Sequence, residues 1–321
     1  MSGDRFGMKW GLAGGTTLAT IDEARAQARL ASEGRFDALW ISHAMGVDPM
    51  VALACIGPEF PDLPEMGTSV TPLFGRHPVG LSQIVRTVQN ALGGRFTLGV
   101  GAAARRSAEG MLGIPWTKPF TYTREFINAM EPLLAGEAAD QDGELVTAHA
   151  QLGIQAPDTP ILLAALGPRM LRFAGERLQG TTLGQCGPKT IAGYVRPMLE
   201  EGAARSGRTD KPRILALVRI NVTEDREAAK ATAREISAFY QSVPSYANVI
   251  EKEGLPEPAD LHLIGSWQEI LDGLAAYAEA GTTDLRIQAA THDQKSREAT
   301  EQALVEYCLL YTSPSPRDWL Q

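Results

Sequence analysis

What most limits the folds open to this chain is an alternation: a short apolar run, a loop, then an amphipathic segment, repeated along the 321 residues. The first apolar run is Arg5 to Ala13, closing at Gly14-Gly15, and a helix follows over Ile21 to Glu33 with Thr20 and Asp22 as start signals. Phe36 to Ser42 is almost continuously apolar, as a strand covered on both faces should be. A short helix over Pro49 to Ile56 precedes a third strand, Met66 to Pro72. Pro78 opens a helix that places Leu81, Ile84, Val85, Val88 and Leu92 on one face, and Gly93-Gly94 stops it. Arg95 to Val100 is the fourth strand. A long excursion then runs over 102–158, with a helix near Tyr122 to Leu134 that Pro132 should kink or break, and a turn at Gln141-Asp142-Gly143.

The second half repeats the scheme. Strands are expected at Pro160 to Ala165, Gly180 to Gly184, Arg213 to Val222 and Asp284 to Ala289. Between them lie helices from Pro168 to Leu178, from Pro188, within Asp225 to Leu263, and from Trp267 to Ala280. Strands alternating with helices pair in parallel through right-handed crossovers. Eight such units in one chain of this length fit a single closed α/β barrel, a (β/α)8 TIM barrel with insertions, over residues 1–305. A doubly wound sheet is the competing architecture, but Gly11, Gly14 and Gly15 do not form the glycine-rich dinucleotide turn it would need. From Cys308 the helical pattern gives way to Ser/Pro punctuation, CLLYTSPSPRDWLQ; residues 308–321 read as a non-native tail that truncates a final helix begun at Ser296 to Val305.

Composition narrows the function. A net charge of -8 argues against a nucleic-acid partner, which usually selects a basic face. No apolar run is long enough for a membrane helix, and the start of the chain lacks a secretory apolar core. Cys55, Cys186 and Cys308 are far apart and odd in number, which supports neither a disulfide framework nor a zinc site, so a reducing cytoplasm is the expected location. No HxxxH or clustered carboxylate–His set suggests any other metal.

In a barrel of this kind chemistry sits on the loops after the strands. Leu166-Gly167-Pro168-Arg169-Met170 follows the fifth strand: Gly167 permits close backbone approach, Pro168 fixes a helix start, and the free N–H groups there favour an anion. A phosphate site and a plain helix start fit that segment equally. Gly187-Pro188 repeats the device, with simple capping the better reading. Thr68-Ser69-Val70-Thr71-Pro72 offers small and β-branched residues against which a flat ring can lie, although an ordinary buried strand accounts for its composition. His77 reads as a local cap. Arg76, Arg105, Arg106 and Arg169 are candidates to converge on a polyanionic tail. His43 stands just past the second strand, where an imidazole could move a proton near neutral pH.

Taken in order, GTSVTPLFGRHPVGLSQ from Gly67, GGRFTLGVG from Gly93, EGMLGIPWTKPFTYTREFINAMEPLLAGE from Glu109, AALGPRMLRFAGERLQGT from Ala164 and HLIGSWQEILDGLAAYAEAGTTDLRI from His262 resemble the luciferase-like monooxygenase superfamily. The likeness is greatest to its coenzyme F420-dependent oxidoreductase branch and covers the chain to about Val305. The resemblance implies a bacterial-luciferase-like barrel holding a flavin or deazaflavin at its C-terminal mouth. It implies a non-proline cis peptide at Ser69–Val70, with Thr71, behind the cofactor ring. It also implies a cofactor phosphate on the backbone of Leu166, Gly167, Pro168, Arg169 and Met170, a catalytic role for His43, and a possible homodimer. The sugar-phosphate dehydrogenases of the branch carry a Glu after the fourth strand; Ala102-Ala103-Ala104 stands here, with Glu109 out of register, so that substrate is not implied.

The function expected is therefore hydride transfer between coenzyme F420 and a small organic substrate, with the excursion carrying Trp116 and Tyr122 lining the pocket. An FMN-dependent monooxygenase using reduced flavin and oxygen, or a non-catalytic flavin-binding protein, are the alternatives.

Overall fold

The computed structural model describes residues 5–14 and 17–311. Eight parallel strands close on themselves: β1 (Lys9–Ala13), β2 (Ala38–Ile41), β3 (Glu65–Thr68), β4 (Phe96–Gly101), β5 (Ile161–Ala164), β6 (Gly180–Leu183), β7 (Arg213–Val222) and β8 (Asp284–Ala289). β8 pairs with β1 as well as with β7, through Gly11↔Arg286 and Leu217↔Arg286, and this double pairing seals the barrel. The predicted barrel is thus the observed one.

Helices cover the outside: α1 (Ile21–Glu33), α2 (Pro49–Ile56), α3 (Pro78–Ala91), α4 (Pro119–Ala135), α5 (Pro168–Arg177), α6 (Arg196–Arg205), α7 (Arg226–Gln241), α8 (Pro244–Glu253), α9 (Trp267–Glu279) and α10 (Gln294–Leu310). Thr20 caps α1 by accepting from the Glu23 amide, and Asp48 caps α2, which is why both begin where the sequence indicates. The outward face of each strand and the inward stripe of each helix share one large apolar layer that includes Leu39, Met66, Leu98, Leu163 and Ile287.

Several expectations need correction. Arg5–Gly7 is a 3-10 turn and not the start of a strand; Arg5 is drawn aside to pair with Asp37 at 2.6 Å. Pro132 neither kinks nor ends α4, which runs on to Ala135. It lies in the last turn, where one forfeited rung matters little, and its carbonyl accepts the Glu137 amide at 2.8 Å. The turn expected at Gln141-Asp142-Gly143 falls over 143–146 instead, and it joins the strands of an antiparallel hairpin, Ala139–Asp142 with Thr147–Ala150, inside the excursion. The third strand divides into β3 and a short pairing at Thr71–Pro72. The stretch from Pro188 reaches α6 through a π-helical turn, Ile191–Val195. α10 passes Val305 and continues through Cys308, whose carbonyl accepts from Arg5 Nη2 at 3.0 Å; residues 312–321 of the expected tail lie outside the described residues.

The barrel interior is filled unevenly, and this positions the site. Trp40 on β2 lies in a small inner cluster with Ala38, Leu162 and Leu215. Glycines on both flanking strands make room for it: a Cβ on Gly11 would stand 2.6 Å from Trp40 Nε1, and one on Gly67 would stand 2.4 Å from Trp40 Cζ3 and 2.6 Å from the Thr97 carbonyl. Below the indole, at the N-terminal end, Arg213 of β7 binds Glu65 of β3 at 2.8 Å and Asp284 of β8 at 2.6 Å. Thr97 adds a hydrogen bond to Glu65 at 2.6 Å. Burial alone would raise the Glu65 pKa, but the hydrogen bond and charge of Arg213, with Thr97 and Lys9 behind them, hold it below the usual carboxylate value.

Two outcomes follow. Gly67→Ala should lower the unfolding free energy by about 1–3 kcal/mol in a urea titration, because neither the indole nor the Thr97 carbonyl can withdraw. The charged form of Glu65 is favoured by folding, so its contribution to stability is complete above an ordinary value near 4.5 and is lost as pH falls through its lower folded value. Stability measured from pH 6 to about 3 should therefore fall less steeply in Glu65→Gln than in the wild type. Equal slopes would disprove the linkage.

Candidate functional site at the C-terminal mouth of the barrel

Above Trp40 the inward positions turn from apolar to polar. Ser42 follows β2, Ser69 follows β3, and Thr182 lies on β6; Ser69 Oγ and Thr182 Oγ1 are 2.8 Å apart. The Ser69–Val70 peptide bond is cis, as the family resemblance implied. Its carbonyl, on Ser69, accepts from Ser42 Oγ at 3.0 Å and from Arg286 Nη1, and the same guanidinium nitrogen donates to Ser42 Oγ at 3.1 Å. Arg286 thus reaches across the barrel from β8 to the ends of β2 and β3. Buried Thr71 Oγ1 and Arg286 Nε lack partners among the described residues. A buried hydroxyl such as Thr71 Oγ1 on the floor of a mouth is where a bound ring would be hydrogen-bonded.

His43 is half-buried at the rim. Arg76 Nη2 lies 3.3 Å from its Nε2, and Asp48 Oδ2 lies 3.6 Å from its Nδ1. Arg76 also approaches Asp48 at 3.4 Å. Burial lowers the His43 pKa; the Asp48 carboxylate pulls it back and Arg76 lowers it again, for a net downward shift. The imidazole is therefore neutral at pH 7, able either to donate or to accept one proton.

The two Gly-Pro helix starts differ in a way the sequence does not reveal. At Gly187-Pro188, the Glu253 carboxylate accepts from the Lys189 amide at 3.1 Å and the Thr190 amide at 2.8 Å, so the position is capped from within. At Gly167-Pro168 no side chain caps the start of α5, and nothing lies within 4 Å of where a Gly167 Cβ would be. Gly167, Pro168 and Arg169 are exposed, and Leu166 and Met170 are partly so. The Arg169 guanidinium stacks 4.2 Å from the Phe120 ring centroid. Tyr194 Oη donates to the Leu166 carbonyl at 3.1 Å and steadies the loop. The open amides of α5 are the feature that could hold a phosphate.

Other expected residues take structural parts. His77 caps α3 by accepting from the Val79 amide at 3.3 Å. Trp116 Nε1 donates to the Ala102 carbonyl at 3.3 Å, with Arg105 over its ring at 5.2 Å. Glu109 accepts from the Trp116 amide at 3.2 Å, which ties it within its own loop. Tyr122 stacks on Phe74 at 4.2 Å. Arg76 packs against His43 and Asp48, Arg105 lies over Trp116 and Arg169 lies over Phe120.

The sequence reading passed over Arg219 and Arg286. The signal is present, since the charged residues of two largely apolar strands, RILALVRINV and DLRIQA, each fall on one period-two face. It does not say which face is inward or which charges meet a partner.

A closed (β/α)8 barrel with a polar C-terminal mouth and a helix start at its rim that no described side chain caps has the concave, polar setting in which barrel enzymes place their chemistry. Residues 8–284 match the family model described as luciferase-like monooxygenase, and the chain belongs to that family. It is 30% identical over 242 residues to 5,10-methylenetetrahydromethanopterin reductase of Methanolobus tindarius, covering 74% of this chain and 73% of that one. The fold is similar to the coenzyme F420-dependent tetrahydromethanopterin reductase from Methanopyrus kandleri, with TM-score 0.76, 20% identity, and coverage of 94% of this chain and 97% of the other. It is likewise similar to the FMN complex of the oxygenating constituent of 3,6-diketocamphane monooxygenase from Pseudomonas putida. That likeness has TM-score 0.70 and 19% identity over 93% of this chain and 96% of the other. Among the described residues, no helix is long and apolar enough to cross a membrane.

The lowered pKa of His43 is directly measurable. In an NMR titration its imidazole should have a midpoint below 6.5. Arg76→Gln should move that midpoint upward, and a wild-type midpoint above 6.5 would overturn the neutral assignment.

Proposed function

We propose that this protein is a coenzyme F420-dependent oxidoreductase that moves a hydride between the deazaflavin ring and a small organic substrate. The observation that carries this reading is the pairing of two features across one mouth. The Ser69–Val70 peptide on the floor is held by Arg286 and Ser42, and the start of α5 at the rim is left uncapped while its twin at Gly187 is filled. A ring on the first and a phosphate on the second is the arrangement a flavin-type cofactor needs. The relative named as a methylenetetrahydromethanopterin reductase supports the deazaflavin branch, since it is matched over about three quarters of both chains.

When bound, the deazaflavin supplies the two-electron, one-hydride chemistry. The chain supplies everything around it. In the loop of Leu166, Gly167, Pro168, Arg169 and Met170, every residue but the proline presents an amide, and Arg169 adds a cation, to a phosphate. Ser69, Val70 and Thr71 back the ring plane, with the Thr71 hydroxyl free to pair with a ring heteroatom. His43, neutral and half-buried, is placed to give a proton to a substrate oxygen or take one from it. The excursion, with Trp116 packed against Ala102, narrows access to water on the far side.

A second reading, an FMN-dependent monooxygenase using reduced flavin and oxygen, is favoured by the fold shared with the FMN-bound oxygenating protein. A parallel titration of the purified protein with coenzyme F420 and FMN separates the two. Tighter F420 binding supports hydride transfer; preference for FMN with oxygen uptake moves the protein to the second reading; binding of neither sinks both. Gly167→Asp places a carboxylate at the uncapped amides in open space, and it should weaken the preferred cofactor at least tenfold without lowering stability. Gly167→Ala should bind normally. His43→Ala should cut turnover by a factor of about 100 or more while leaving cofactor affinity unchanged.

A further inference from the structure

The mouth of the barrel holds two inward guanidinium groups with no carboxylate to answer them among the described residues. Arg219 on β7 is 7% exposed. Its Nε donates to Gln288 Oε1 at 3.1 Å and its Nη2 to Tyr240 Oη at 3.1 Å, and it lies 5.3 Å from the Tyr240 ring centroid. Arg286 on β8 spends one nitrogen on Ser42 and the Ser69 carbonyl, while its buried Nε has no partner. The register sets Arg219 beside Gln288 and Leu217 beside Arg286, so the two arginines sit one inward step apart on neighbouring strands. All their partners are neutral. Arg213, at the opposite end of β7, is answered by two carboxylates.

The walls around the pair are built to donate. Tyr246 stands against Gly184 at the end of β6, and its ring meets Tyr240 edge-on at 4.9 Å. Burial, reinforced by Tyr240, pushes the Tyr246 hydroxyl up to about 12, so it keeps its proton. Burial, together with Arg219, pushes Arg286 down to about 10, which still leaves it charged at pH 7. Strapping the Ser69 carbonyl would need only a neutral donor, and filling space beside Tyr240 would need no charge at all. A buried cation beside a part-buried one, with no counter-charge among the described residues, is costly, and that cost is recovered when a ligand brings the anion.

We propose that Arg219 and Arg286, with the Tyr240 and Tyr246 hydroxyls, form the subsite for a carboxylate group of the substrate, so that the molecule oxidised or reduced at this mouth is an organic acid. The planar forks of the two arginines suit a two-oxygen anion. The placement rests on the hydride-transfer reading only in naming what happens to the acid; the anion subsite itself is independent of which cofactor binds.

The test uses the full chain, free of cofactor and then saturated with it, with benzoate as the probe and benzamide as its neutral counterpart. Calorimetry should show benzoate binding and raising the melting temperature, and benzamide doing neither. Arg219→Gln and Arg286→Gln should each weaken benzoate at least tenfold, and Arg219→Gln should keep cofactor affinity within about twofold. Without ligand, Arg219→Gln should melt at or above the wild type, since it removes an unanswered buried charge. Equal binding of benzamide and benzoate, or binding of neither, overturns the proposal, and that comparison needs no variant to fold. A lower melting temperature for ligand-free Arg219→Gln would mark a purely structural arginine. If the variants lose the cofactor tenfold and benzoate competes with it, the missing anion is the cofactor ring and the substrate assignment is overturned. Failure of the F420 titration with benzoate discrimination intact would instead count against the cofactor alone.

Discussion

The rest of the barrel depends on how one indole is accommodated. Trp40 occupies the inner space between β1, β2 and β3, and it fits only because Gly11 and Gly67 leave their Cβ positions vacant. A barrel of eight strands is just wide enough for side chains to fill. A single large ring therefore replaces what several branched residues would otherwise supply. By plugging the middle, Trp40 separates the interior into a lower half that is electrostatically closed and an upper half that is open to a ligand.

The two halves show opposite treatment of charge. Below, Arg213 is pinned between Glu65 and Asp284, so breaking one partner would strand the other. Above, Arg219 and Arg286 are satisfied only by neutral groups. The same contrast appears at the rim, where Glu253 fills one helix start and the other is left open. In each comparison the local chemistry is alike and the difference is whether a carboxylate has been brought to it. Stability accounts for the answered member of each pair, and the proposed ligands would complete the unanswered one.

Part of this site was legible before the structure. The small residues of Thr68 to Pro72 and the Leu166 to Met170 turn stand just past strands whose apolar runs are unmistakable, so their place at the mouth followed from position alone. The bland reading of His77 and of Gly187-Pro188 also held, for reasons of local capping. The arginines of β7 and β8 were hidden by context. An Arg in an apolar strand can be an edge residue, a salt-bridge partner or a ligand contact, and Arg213, Arg219 and Arg286 look the same in one dimension. Pro132 misled because a proline costs a helix little in its last turn, and that boundary was set by Gly136 in a left-handed conformation.

The alternation of apolar runs and amphipathic segments by itself determined the (β/α)8 architecture, because strand burial on both faces and right-handed crossovers leave few other closures for eight such units. Period two likewise determined which strand residues share a face, though not which face is inward. Only the tertiary structure decided which of the inward charges are neutralised, because a partner such as Glu65 for Arg213 comes from a strand 148 residues away. It alone decided which helix start is capped, because Glu253 reaches Thr190 from a helix packed alongside. Electrostatic complementarity acts across space between elements that sequence spacing cannot align.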